Sequence, residues 1–169
     1  MEELLEIVNE EGRVIGTALR SEAHGNNSLL HRVVHVIVTN NAGDIFLQKR
    51  AATKDVAPGK WDTSVGGHVD AGESVEEALR REMTEELGVP DGEVVFLYRY
   101  IHSNPYESEL VYTYRCRNGG PFRYSRDEID EVRFWQVDEI KREIGKGIFS
   151  DNFEDEFDMF TKLEDTYDF

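Results

Sequence analysis

The sequence has one cysteine, Cys116, which excludes an internal disulfide and fits a reducing compartment. It has no apolar run that approaches a membrane span. Its opening residues, Met1-Glu2-Glu3, have the wrong sign for a signal peptide, so the cytoplasm is the expected location. Positive charge is scarce too, with 19 Lys and Arg against 35 Asp and Glu, a net charge of −16. Such a field repels nucleic-acid backbones and anionic membranes, so neither is expected as a partner. The imbalance is uneven. Basic and acidic groups number 7 and 8 in residues 1–61, 7 and 12 in 62–126, and 5 and 15 in 127–169. Acidity is therefore mostly a C-terminal property. There is no repeat, no low-complexity linker and no domain break. The expectation is one domain over residues 1–169, with a core of about 30–163 and residues 1–29 as an N-terminal hairpin extension packed on it.

Large aromatic burial units are well represented, with nine Phe, seven Tyr and two Trp. Residues 4–8 and 14–19 flank a Glu11-Gly12 turn and read as a hairpin. Residues 31–39 and 45–48, around Asn40-Asn41-Ala42-Gly43, read as a second hairpin, central because its first strand is apolar on both faces. Residues 94–101, 110–116 and 132–137 read as further strands, and 138–144 and 151–163 as helices. In the last of these Phe153, Phe157 and Phe160 form a core-packing stripe. Arg50, Lys54 and Lys60 cluster near Pro58-Gly59-Lys60-Trp61. They are either a solvated basic loop or a set of phosphate-binding groups that draws in anionic substrate.

The organising stretch is residues 67–89. Ser74 with Glu77 makes a capping-box pattern, and Gly88 before Pro90 is a stop signal. Between them Val75, Ala78, Leu79, Met83 and Leu87 form an apolar stripe at helical spacing. Glu82 and Glu86 fall inside that stripe and Glu85 at its edge. An unpaired buried charge costs several kcal/mol. Arg80 and Arg81, the only cations of the helix, are expected to project to the other side. Hard divalent cations with oxygen ligands can neutralise such a cluster, and Mg²⁺ favours carboxylates, waters and substrate phosphates.

Gly67, then Glu73 after five residues, then Arg81-Glu82-Met83-Thr84-Glu85-Glu86-Leu87-Gly88-Val89 after seven more is similar to the Nudix box at all nine of its defined positions. The resemblance implies an α/β (α+β) fold, an α/β/α sandwich around a mixed sheet. It implies hydrolysis of a small-molecule diphosphate, a nucleoside diphosphate linked to another moiety, with Mg²⁺ or Mn²⁺. It implies Glu82, Glu85, Glu86 and the Gly67 carbonyl as metal ligands, and Glu73 with Arg81 as a structural pair. General-base candidates are Glu82 or Glu85, then Glu128 or Glu131 in the acidic stretch 127–131.

A looser likeness covers most of residues 1–135 and points to the type I isopentenyl-diphosphate isomerases. It runs through Leu29-Leu30-His31-Arg32, Asn40, Lys54, Pro58-Gly59-Lys60-Trp61 and Ser64-Val65-Gly66-Gly67-His68. In those enzymes three histidines and two glutamates bind a divalent metal, and all five positions are filled here by His24, His31, His68, Glu107 and Glu109. They are either a second metal site or inherited scaffold with ordinary hydrogen bonds. The catalytic cysteine of that branch is replaced by Gly66. Moving a double bond needs an acid and a base on opposite faces, so hydrolysis is favoured over isomerisation. His35 and His102 are expected to be satisfied strand histidines. Tyr98, Tyr100, Tyr106 and Phe122 are read equally as nucleobase-stacking or packing residues. Oligomeric state is left open, a homodimer included.

Overall fold

A computed structural model describes residues 2–166. Strands β1 (Leu4–Val8) and β2 (Val14–Leu19) form the first hairpin, closed by Gly12 at φ +83°, and a short helix α1 (Arg20–Ala23) follows. The central strand β3 (Leu30–Thr39) then runs parallel to β8 (Ser108–Arg117) along its whole length, from Leu30 opposite Ser108 to Thr39 opposite Arg117. Its other edge pairs antiparallel with β6 (Val65–His68), and β7 (Val94–Ser103) closes the far side of β8. Strands β4 (Ile45–Arg50), β5 (Trp61–Asp62) and β9 (Ile129–Trp135) form an antiparallel group that meets β3 only where Thr39 faces Ile45. The expected second hairpin is therefore short. Its arms diverge after one pair and leave a cleft between them.

The fold is a mixed α+β sandwich, as expected. Because side chains alternate across a strand, β3 supplies both layers. Val36 and Val38 pack with Leu79, Met83 and Leu87 of helix α2 (Val75–Leu87). Ile37 packs on the other face with Trp61, Trp135, Ile140, Phe149, Phe153, Phe157 and Phe160. That second layer draws on helices α3 (Val137–Glu143) and α4 (Asp151–Thr166). Phe122 stacks on Phe46 with ring centroids 4.3 Å apart, so packing accounts for it.

Two of the element boundaries that differ from the sequence reading bear on the site. The glycine-rich lead-in to α2 is partly the strand β6, because Gly66 and Gly67 lie opposite His35 and Val34. Strand β9 starts at Ile129 rather than 132, and Glu131 is paired across from Lys49 instead of lying in a loop.

The α4 layer also holds a buried ion pair. His35 Nδ1 lies 2.7 Å from Glu156 Oε2, and Glu156 is wholly buried. Thr113 and Tyr100 donate hydroxyls to the same carboxylate at 2.6 and 3.1 Å. Burial opposes the His35 charge, but Glu156 outweighs it and raises the imidazole to about 9 from 6.5. Glu156 moves oppositely: despite burial, His35 and the donated hydrogen bonds hold it below its ordinary 4.5. His35 thus stabilises the fold fully below pH 6.5, a contribution lost as pH rises through about 9. Glu156 contributes above 4.5 and loses its contribution as pH falls. Thermal unfolding between pH 7 and 10 should show a decline on the order of 3 kcal/mol that disappears in the double variant His35→Phe/Glu156→Leu. An equal decline in that variant would remove the pair from the account.

Candidate metal and diphosphate site

Helix α2 starts where the sequence says it should. Ser74 Oγ accepts from the Glu77 N–H at 3.1 Å, and Gly88 ends the helix in the left-handed region at φ +68°. Ahead of it, Arg81 braces the incoming loop. It donates to both oxygens of Glu73 at 2.8 Å and to the His68 carbonyl at 2.9 Å. A forked guanidinium suits this two-point grip.

The helix sits so close to β6 that a Cβ at Gly67 would overlap the Glu82 carboxylate. That approach takes the box acids partly out of water. Glu82 is 13% exposed and is pushed up to about 7, by burial first. Glu86 is pushed up to about 8 by burial and by Glu82, although Gln48 Nε2 at 3.1 Å and the Gly66 N–H at 2.9 Å both donate to it. Glu85 lies at the cleft mouth, its side chain 59% exposed.

One expectation is corrected here. Arg81 does not project away from the acids: its Nη1 lies 2.5 Å from Glu82 and 3.5 Å from Glu85. A long side chain can lie along the helix surface while its head reaches back, which direction at Cα does not reveal. The three box carboxylates accordingly do not gather into one ligand set among the described residues. The acids still outnumber the guanidinium, and the burial that raises Glu82 and Glu86 is what a bound divalent cation would offset. The donor set, hard carboxylate oxygens, fits Mg²⁺ or Mn²⁺.

The histidine set does converge. Ligand atoms of His24, His31 and His68 lie within 4.8 Å of one another, as do those of His31, Glu107 and Glu109. His24 Nε2 is 3.1 Å from Glu107 Oε2 and 3.1 Å from His68 Nε2. His31 Nε2 is buried without a hydrogen-bond partner, and Glu107 Oε2, though 3.1 Å from His24 Nε2, makes no well-aligned hydrogen bond. Burial and the neighbouring His68 lower His24 and His31 to about 4, leaving neutral imidazoles, the ligating form. Glu109 is raised to about 7 by burial and by Glu107. Orphaned lone pairs turned on one point suit a cation.

Both clusters open into one cleft of about 890 Å³. Arg50, Lys54 and Lys60 line it: Arg50 donates to the Val56 carbonyl at 2.8 Å, Lys60 to the Gly147 carbonyl, and Lys54 lies 3.7 Å from Glu128. Glu128 is thus at the cleft. Glu131 is exposed on β9 and does not line it, so the structure does not bring Glu131 to the other candidates. His35 and His102 do line it, which the sequence reading missed. Only the pairing of β3 with β6 reveals this for His35.

If a divalent cation displaces protons from Glu82 and Glu86, its affinity should fall as pH drops from 8 to 6. Isothermal titration of Mg²⁺ in two buffers of different ionisation heat should show proton release at pH 7. Identical heats would mean the carboxylates are already ionised.

The NUDIX domain family model matches residues 29–155. The chain is 34% identical over 138 residues to the uncharacterised Nudix hydrolase YfcD of Escherichia coli (strain K12), spanning 82% of this chain and 76% of that protein. It is 33% identical over 132 residues to the uncharacterised Nudix hydrolase PA4841 of Pseudomonas aeruginosa, spanning 78% of each. The crystal structure of DR0079 from Deinococcus radiodurans superposes with a TM-score of 0.80 at 26% identity, over 95% of this chain and 99% of that one.

Proposed function

Starting from the premise that the chain belongs to the NUDIX domain family and is a Nudix hydrolase, we propose that it cleaves the diphosphate bond of a nucleoside diphosphate linked to another moiety, with Mg²⁺ or Mn²⁺. The observation that supports this reading most is the pair Glu82 and Glu86, half-buried against Gly67 and Gly66 in a cleft that Arg50, Lys54 and Lys60 also line. Glu82, Glu85, Glu86 and Gly67 would hold the ion, and Glu73 with Arg81 would keep the loop and helix in register. When bound, such an ion neutralises diphosphate oxygens and lowers the pKa of a water.

The remaining steps belong to the chain. Arg50, Lys54 and Lys60 attract and orient the anionic substrate in the cleft they line. Arg81 can release Glu82 and keep its three bonds to Glu73 and the His68 carbonyl, so the brace survives a change at the acid. A carboxylate must take the proton of the attacking water. Glu82 and Glu85 are the first assignments and Glu128, at the cleft beside Lys54, the second. The same reading assigns His24, His31, His68, Glu107 and Glu109 to a second divalent ion. It rests on the unpartnered His31 Nε2 and the poorly aligned Glu107 Oε2.

Glu82→Gln and Glu86→Gln should each lower the rate on the order of a thousandfold with the fold retained. The assay is cleavage of nucleoside diphosphates, dinucleoside polyphosphates, nucleotide sugars and prenyl diphosphates with either metal, read as the phosphate that added alkaline phosphatase frees from the newly exposed monoesters. Near-normal turnover by either variant contradicts the assignment. Gly66→Cys should not convert isopentenyl diphosphate into dimethylallyl diphosphate, because a thiol alone supplies one proton-transfer group where two are needed. Detection of that product would reopen isomerisation.

A further inference from the structure

His35 sits on the floor of the cleft with one face of its chemistry accounted for and the other not. Its Nδ1 is tied to Glu156 at 2.7 Å, which fixes the ring, and the buried carboxylate favours the protonated imidazole. Tyr100 and Thr113 hold Glu156 from the other side, and Asn152 accepts the hydrogen bond of Tyr100 at 2.8 Å. Nε2 has no hydrogen-bond partner among the described residues, and the ring lines the cleft.

Gly66 explains why that edge is open. It lies directly across from His35 in the β3–β6 pairing. A Cβ there would stand 3.3 Å from His35 Nε2 and 3.2 Å from Cδ2. Any side chain at 66 would therefore crowd the ring edge. The Gly66 N–H meanwhile donates to Glu86, so the ring and the box acids meet at one residue.

We propose that His35 is an anion-binding residue of this site, its Nε2–H donating to a phosphate-type oxygen of the substrate across the gap left by Gly66. This rests on the hydrolase reading for the identity of the substrate, but not for the existence of the donor. An imidazolium clamped by a buried carboxylate is already oriented, so binding an oxyanion needs no reorganisation. It also sets a positive charge beside Gly66, which partly balances Glu109 and Asp62 nearby.

Inorganic pyrophosphate with Mg²⁺ is the probe. In the wild-type protein, long-range ¹H–¹⁵N spectra should show the His35 Nε2 resonance shifting on titration with it. By calorimetry, His35→Gln should weaken its binding about tenfold, in line with a hydrogen bond from a charged donor. Because His35→Gln could leave Glu156 uncompensated, Gly66→Ala is the second variant. It covers Nε2 and leaves the ion pair in place, and it should weaken binding to a similar extent. An unmoved His35 resonance, or unchanged affinity in Gly66→Ala, overturns the assignment. Wild type that fails to hydrolyse any diphosphate yet shows the His35 response would sink the hydrolase reading and leave the anion site standing.

Discussion

The close approach of α2 to β6 is the constraint on which the rest depends. Gly67 admits no side chain without displacing the Glu82 carboxylate, so helix and strand meet through a backbone surface on one side and carboxylates on the other. Carboxylates held there lose water, and the lost hydration must be answered by something. Within the chain the answers are partial: one guanidinium for Glu82, an amide and a backbone N–H for Glu86. Incomplete compensation of this kind is costly to a fold and useful to a site. It is the kind of deficit that a divalent cation would offset.

Net charge of −16 would argue against an anionic substrate if charge acted only through its sum. Beyond about 8 Å at physiological ionic strength it does not, because exposed charges are screened. The surplus acids are concentrated after residue 126, and those of α4 such as Asp155 and Asp158 are exposed. At the cleft, Arg50, Lys54, Lys60 and His35 stand among the acids of the lining, and they supply cationic or hydrogen-bond-donating groups there. The histidine and glutamate cluster adds neutral imidazoles and carboxylates raised by burial to the same cleft.

The sequence was a good guide wherever local rules govern. Ser74, Glu77 and Gly88 placed the ends of α2, since caps and left-handed stops act within one turn. The hairpin at Gly12 and the stripe of Phe153, Phe157 and Phe160 followed from turn chemistry and helical period. Arg81 was misplaced because a four-bond side chain is not bound to the face its Cα occupies. Glu131 was misplaced because strand β9 extends by pairing with β4, and its own residues 129–131 carry little strand signal.

His35 shows the limit most clearly. It was read as a satisfied strand histidine, which describes Nδ1 and misses Nε2. Its partner Glu156 lies 121 residues further along the chain, and its opening to the cleft depends on which residue of β6 stands across from it. Residue types and short-range spacing determined the family motif, the helix that carries it and the need for a cation. Only the tertiary structure decided which charges meet, because burial and strand register bring together groups that no local period relates.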